Sequence, residues 1–377
     1  MKPLLFKISM FFVCFSLNSQ IKTVFYESIN ASQLNTLELA IKNIPLDVKK
    51  SYDDKVRIDF KLEFKNFSER EIDSVINQIE LNNRIENKKL ILKINSKEEI
   101  SKRSVYIHER ITNKEMQKLM NKILKSYTQY NSKKKTKKEI IEKHNKFRQE
   151  LTDYASLEEK ELRNKKNKLM KSFFTLYLPE KLLNNLNVKA KRCRFDFSDL
   201  ELKNLDLFVD DSYLNILKLS NSKITCWNGS TFLGEVESSV IIGRSTTSIM
   251  IGEIANSNLI TEYTKVEIGE IGKYNDIKDF NSKFYFYNYN DKFEKFDFKG
   301  EYSTIYFYES DLDYDMSCYG YDTTYFIDKD TIVSQPSKTG KKSKMMERKR
   351  KNNKPYSGEV NFDIVHTKFY YPKMLKK

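Results

Sequence analysis

Between residues 195 and 310 the hydrophobic positions fall into short runs that repeat at a near-constant spacing. The clearest are Leu233-Gly234-Glu235-Val236, Ile251-Gly252-Glu253-Ile254 and Ile268-Gly269-Glu270-Ile271, starting 18 and 17 residues apart. The same register gives Ile216-Leu217-Lys218-Leu219 and Phe197-Ser198-Asp199-Leu200 upstream. Downstream it gives Phe286-Tyr287-Asn288-Tyr289 and Phe307-Tyr308-Glu309-Ser310, so seven units recur at spacings of 17 to 21 residues. Half a period away lies a second set that starts at Ile224, Val240, Leu259, Ile277 and Phe296. Two short alternating strands per circuit is the pattern of a parallel β-solenoid, in which each rung buries its apolar face only by stacking on its neighbours. Small polar residues precede the strands, as in Thr264-Lys265-Val266, Ser282-Lys283-Phe284 and Ser303-Thr304-Ile305, and fit the corners of the coil.

Upstream the periods differ. Val56 to Phe64 alternates strictly, as a half-buried strand does. Ser68 and Glu71 form a capping-box pattern ahead of Ile72, Val75, Ile76 and Ile79, and Leu90, Leu92 and Ile94 give another strand. From Thr112 the period turns helical, with Met116, Leu119, Met120, Ile123, Leu124 and Tyr127 on one face. After Asn131-Ser132, the residues Ile140, His144, Phe147, Leu151 and Tyr154 continue it on a second helix. The first twenty residues carry Lys2 and Lys7 around an apolar run from Ile8 to Leu17, which reads as a secretory signal peptide cleaved after Ser19. That run is shorter than the roughly 20 residues a membrane-spanning helix needs, and no later window approaches that length. The expected fold is mainly β: a right-handed parallel β-solenoid preceded by a small α+β unit and a helical hairpin insertion. The expected divisions are a leader over 1–19, the α+β unit over 20–110, a basic hairpin over 111–172, solenoid repeats over 173–335, a basic disordered segment over 336–358 and terminal strands over 359–377 that close the open edge.

Charge changes this picture because it is segregated. The chain has a formal charge of +15. Residues 101–172 hold 21 basic and 9 acidic side chains, a net of +12, and residues 338–354 hold 9 and 1, a net of +8. Residues 195–330 hold 12 and 25, a net of −13, so two basic segments bracket an acidic body. The basic positions Lys133, Lys134, Lys135, Lys137 and Lys138, with Lys341, Lys342, Arg348, Lys349, Arg350 and Lys351, are candidates for binding anionic glycans or a membrane surface. No aromatic residues are interleaved with these runs to stack bases, so nucleic acid is not expected. The acidic body of the same or a neighbouring molecule is a further partner for them, and self-association is one form this takes.

Candidate chemistry is sparse. The register sets Glu235, Glu253 and Glu270 about 4.8 Å apart on successive rungs, a like-charge ladder that requires neutralisation. It would bind a cation such as Ca²⁺ as a metal site, or receive lysines from the hairpin or tail. Outward members of the aromatic series, Tyr285 and Tyr287, are candidates for stacking carbohydrate. With Cys14 in the leader, Cys193, Cys226 and Cys318 remain, an odd number that reads as buried thiols, not a disulfide framework. His144 sits on an apolar stripe, where a packed or partner-facing role is expected. No P-loop, dinucleotide fingerprint, nucleophile elbow or HExxH occurs, and Arg244 is the one arginine between residues 195 and 335. No enzyme activity and no cofactor are expected.

The leader, the Phe174-Thr175-Leu176-Tyr177-Leu178-Pro179 segment entering the repeats, the Gly-Glu-Ile rungs and the closing Tyr302-Ser303-Thr304-Ile305-Tyr306-Phe307 together resemble a family. It is the family of secreted bacterial adhesin-like proteins with a β-solenoid body, related in style to autotransporter-adhesin heads. The resemblance covers residues 174–310. It implies an exported, non-enzymatic, adhesin-like or scaffolding element at the cell surface or in the periplasm, with surface proteins or anionic glycans as partners. A binder of anionic polysaccharide and a solenoid carbohydrate-active enzyme with a cleft around Arg244 are the alternatives.

Overall fold

A computed structural model of the chain describes residues 19–97, 100, 103–106, 135–163, 168–308, 312–327, 343–348 and 356–371. The leader, the first helix expected over 112–127 and most of the basic segment near the C-terminus lie outside the described residues. The protein is mainly β. From Leu186 to Ile327, successive strands alternate between two large sheets, so the chain passes from one to the other and back with each circuit. Neighbouring circuits pair in parallel.

Seven positions picked out by the repeat, Phe197, Ile216, Leu233, Ile251, Ile268, Phe286 and Phe307, stand in one register column of the first sheet. The facing column of the second sheet is Ile224, Ile241, Leu259, Ile277 and Phe298. Two expected members are therefore displaced. Val240 lies one residue ahead of Ile241, and Phe296 pairs with Asn275 instead. The run Val240-Ile241-Ile242 is apolar throughout and Phe296 and Phe298 share a face, so alternation alone does not choose between the registers.

The corners follow from backbone geometry. Most have one residue in the left-handed region, and Asn204, Asn221, Ser238 and Asn256 supply it on one side, with φ between 49° and 53°. Asparagine tolerates this conformation better than most residues. A serine or threonine follows at most corners and stitches one circuit to the next. The Leu205 N–H donates to Ser222 Oγ at 2.9 Å, the Ser222 N–H to Ser239 Oγ at 3.1 Å and the Ser239 N–H to Ser257 Oγ at 3.0 Å. Thr246, Thr264 and Ser282 form the same ladder at the opposite corner. Buried amides that the sheets leave unpaired at the turn are thereby satisfied.

The N-terminal strands extend these sheets. Leu46–Lys50 pairs in parallel with Arg194–Lys203, and Thr36–Lys42 with Leu186–Lys191, so the stretch read as a small α+β unit supplies the first rungs of the same body. Helix α1 (Glu69–Ile76) carries the expected capping box of Ser68 and Glu71. Helix α2 (Lys137–Arg163) is the second of the two expected helices, and a one-turn helix α3 spans Glu180–Leu183. At the other end the expectation of edge-closing strands is corrected. Tyr356–Val365 inserts between Lys295–Glu301 and Asp313–Tyr321, and Lys368–Tyr371 inserts between Thr304–Phe307 and Thr324–Ile327. The last segment of the chain is thus the penultimate rung. Packing gives the reason: Phe362 and Phe369 join Phe296, Phe298 and Phe307 in one aromatic cluster, with ring centroids 4.9–6.4 Å apart. The strand Asp313–Tyr321 turns Tyr314, Met316, Cys318 and Gly320 inward and stands one rung farther out.

The hydroxyl ladder gives a first expected outcome. Ser239→Ala removes the acceptor of the buried Ser222 amide and should cost about 1–3 kcal/mol. Urea denaturation of the full chain checks this, and an unchanged midpoint would mean that the corner is held by the sheets alone.

Candidate functional site

The central rungs of the first sheet, Ser230–Glu237, Ser248–Ala255 and Lys265–Ile271, each break their alternation once. Leu233 and Val236 point inward, so the two residues between them, Gly234 and Glu235, both face out, and the same holds for Gly252-Glu253 and Gly269-Glu270. Three outward columns result. One is Phe232, Met250, Glu267 and Tyr285; a second is the glycines followed by Tyr287; a third is Glu235, Glu253, Glu270 and Asn288. The glycine column is a groove floor. A Cβ on Gly269 would stand 2.5 Å from the Gly252 carbonyl oxygen and 2.9 Å from Lys137 Cα, so this is where α2 approaches the sheet backbone.

Helix α2 runs across the strands. A helical turn rises about 5.4 Å and neighbouring strands lie about 4.8 Å apart, so residues three or four apart on one helix face meet successive rungs. Lys137, Ile141, His144 and Arg148 are those residues. Lys137 Nζ bridges Glu235 at 2.6 Å and Glu253 at 2.5 Å, while its backbone N–H donates to Glu270 at 3.3 Å. Ile141 lies over Gly252, and neighbouring Ile140 is buried with Phe232, Met250, Tyr285, Tyr287 and Tyr308. The His144 ring stacks on Phe232 with centroids 3.7 Å apart and planes 2° apart, and its Nε2 is 3.2 Å from the Tyr213 hydroxyl. Arg148 pairs with Asp196 on the rung beyond. Thr136 and Glu139 cap the helix reciprocally, and α2 begins directly on the acidic column, where its N-terminal dipole favours negative charge.

The sequence expectations for this face divide. The acidic ladder receives a hairpin lysine: the Lys137 ammonium stands between the carboxylates where a bridging cation would sit. Among the described residues no group of three or more His, Cys, Asp or Glu is arranged to hold a metal ion. Partial burial works against the charge of Lys137, yet the two carboxylates raise its pKa above the usual range. Glu270 is raised, by burial first and by the neighbouring Glu253. Tyr285 and Tyr287 do point outward, but they are buried at 1% and 0% exposure, and a sugar does not reach their rings. This corrects the stacking expectation: an outward position on a strand is open only if nothing docks over it.

Glu267 was not legible as a site residue, because it occupies a column otherwise filled by Phe232, Met250 and Tyr285. It is 4% exposed and receives Lys265 at 2.8 Å, Lys135 at 3.1 Å, Lys143 at 3.4 Å and the Tyr287 hydroxyl at 3.2 Å. Burial alone would raise its pKa, but the three ammonium groups outweigh burial and hold it at about 2. Lys143 is pushed down to about 8 by burial, with Lys135 and Lys265 adding to the effect and Glu267 opposing it. His144 falls to about 4, chiefly by burial and then by the Arg148 charge.

Of the basic candidates, Lys135 and Lys137 are thus spent on the protein's own acidic face, and Lys138 lies exposed beside Glu142 at 3.8 Å. Arg348 sits in the strand Ser343–Arg348, which pairs antiparallel with Asp313–Tyr321; Lys133, Lys134, Lys341, Lys342, Lys349, Arg350 and Lys351 lie outside the described residues. Cys193, Cys226 and Cys318 are buried thiols not joined in disulfides, and burial pushes Cys226 and Cys318 up to about 12. Arg244 is on the outer face of the second sheet, 3.6 Å from Glu262. Among the described residues no helix is long and apolar enough to cross a membrane.

No family model and no curated protein matches the chain. Among solved structures, a "putative cell adhesion protein" from Clostridium sporogenes aligns over 95% of this chain and 100% of that one, at 7% identity and a TM-score of 0.20. A likeness that slight carries no argument about function.

The docked helix makes a pH prediction with a definite sign. The folded pKa of His144 lies below its ordinary 6.5, so its contribution is present above about pH 6.5 and is lost as pH falls toward 4. Glu267 adds a second loss between its ordinary 4.5 and about 2. Hydrogen exchange over residues 137–150, corrected for intrinsic rates, should therefore speed up between pH 7.5 and 5, and His144→Phe should abolish that change. Equal protection at both values in the unmutated chain would contradict the assignment. Gly269→Ala should free the same segment at pH 7.5, since overpacking of this kind costs about 1–3 kcal/mol.

Proposed function

We propose that this is an exported, non-enzymatic protein built on a right-handed β-solenoid that acts as an adhesin-like or scaffolding element at the cell surface or in the periplasm. The observation that carries the reading is the division of labour between the two faces. The acidic groove of the first sheet is filled by the protein's own helix, and the second sheet presents a face of paired charges and exposed apolar residues. Along that face Lys191 pairs with Asp210, Arg244 with Glu262 and Lys295 with Asp297, while Trp227, Ile260 and Phe280 stand exposed between them. A long rigid ladder with one open face suits display and attachment. Charged groups on this face are spent in pairs along the sheet, as Lys295 with Asp297, an arrangement that supports attachment more than catalysis. The apolar leader with its flanking lysines supports export.

A second reading, binding of anionic polysaccharide through the basic segments, is narrowed by the ion pairs of Lys135 and Lys137. It rests on Lys133, Lys134, Lys138 and the run from Lys341 to Lys351. The experiment is expression of the full chain in a bacterial host, N-terminal sequencing of the exported product and a cell-adherence assay at low and moderate salt. Processing after Ser19 with salt-tolerant adherence is the expected result. Retention in the cytoplasm would overturn the proposal. Adherence that collapses at moderate salt, and on neutralising Lys341, Lys342, Arg348, Lys349, Arg350 and Lys351, would favour the polyanion reading.

A further inference from the structure

One corner of the coil departs from the chemistry of the others. Along the edge where the second sheet turns into the first, the left-handed position is filled by Arg192, Asp211, Asn228, Ser245, Asn281 and Asp322 on six rungs, with φ of 47–55°. Two rungs instead place tyrosine there: Tyr263 at φ 50° and Tyr302 at φ 56°, and the next rung places His366 at φ 49°. A tyrosine ring gains nothing from this backbone conformation, which Asn, Asp, His and Gly adopt at lower cost. Such strain persists where the side chain is needed for something else.

These rings are exposed and they join up. Tyr263 is 52% exposed, Tyr302 50%, Tyr321 39% and Phe280 38%. Tyr263 meets Phe280 with centroids 5.7 Å apart, Phe280 meets Tyr302 at 5.7 Å, Tyr302 stacks on His366 at 4.8 Å and His366 meets Tyr321 at 5.7 Å. The result is an unbroken aromatic strip along the axis of the coil. Beside it runs a shallow groove of about 470 Å³, whose lining includes Lys278, Asp279, Phe280, Lys299, Glu301 and Asp363. Its three carboxylates outnumber its two ammonium groups.

We propose that this strip and groove form a binding site for a neutral glycan chain. Sugar rings offer apolar C–H faces to aromatic side chains and hydroxyls to flanking charged groups, and the strip supplies both in parallel lines. With more carboxylates than ammonium groups, the groove does not favour a polyanion. The site is a narrow ridge at a corner, and a stable protein partner needs about 800 Å² on each side. The proposal deepens the surface-binding reading above and rests on it, naming the class of ligand.

The test uses the full exported chain, with Tyr263→Asn and Tyr302→Asn made singly and together. Asparagine already fills the equivalent corner at Asn228 and Asn281, so folding is retained. Binding of cellohexaose, chitohexaose and maltohexaose is followed by calorimetry at low and moderate salt, and the melting temperature is recorded for each variant. The expected result is binding of at least one oligosaccharide that is indifferent to salt. It should weaken about tenfold for each ring removed, with the melting temperature unchanged or raised by relief of the strained backbone. Three results would overturn the proposal: no binding of any of the three sugars, binding untouched in the double variant, or a lowered melting temperature that marks the rings as packing elements. If cell adherence of the double variant equals that of the unmutated chain, this site falls while the surface-binding reading stands. If the unmutated chain is neither exported nor adherent yet binds an oligosaccharide through these rings, the surface reading falls and the site stands.

Discussion

Parallel stacking at one strand spacing is the constraint on which the rest depends. It sets each residue directly above its counterpart one circuit away, about 4.8 Å distant, so any property of one position is multiplied into a column. Apolar columns gain from this, because Leu233, Ile251 and Ile268 share one continuous core. Hydroxyl columns gain as well, because Ser222, Ser239 and Ser257 satisfy one another's amides across the rungs. A column of glutamates does not gain. Glu235, Glu253 and Glu270 repel one another unless positive charge is brought to them, and in this protein the charge arrives on a helix.

The charge segregation along the chain takes its meaning from that requirement. A basic segment before the repeats and an acidic body within them look like an invitation to external partners when counted by window. In the folded chain part of the basic segment neutralises part of the acidic body. The same contact buries Glu267 with three lysines and His144 against Phe232, so the helix is held by a mixture of ion pairs and aromatic packing that acid weakens. Docking also hides Tyr285 and Tyr287, the aromatic residues that had looked most available.

The two edges of the coil then differ in what they leave open. One face of the first sheet is closed by α2, whereas the second sheet and its corner tyrosines stay exposed. Such corners tolerate many residue types as long as the backbone turns, so they are the places where a repeat can change chemistry without losing its ladder.

The sequence by itself determined the repeat. Its period, its inward columns in the first sheet and its corner residues are readable because each rung restates the same local rule, and seven restatements fix a register that a single strand leaves open. It also determined the cap of α1, the buried character of the cysteines and the packed role of His144. Tertiary structure decided what faces what. Val240 and Phe296 stand outside their expected columns because an all-apolar run, or two residues on the same face, satisfies alternation in more than one way. The C-terminal segment enters as the penultimate rung because the size of Phe362 and Phe369 matches the aromatic core there, a match between segments far apart in sequence. The partners of Glu267, the role of the glycine floor and the cover over Tyr285 and Tyr287 depend on where a distant helix lands. Periodicity encodes which way a side chain points from its own strand; it carries no record of what arrives from elsewhere in the chain to meet it.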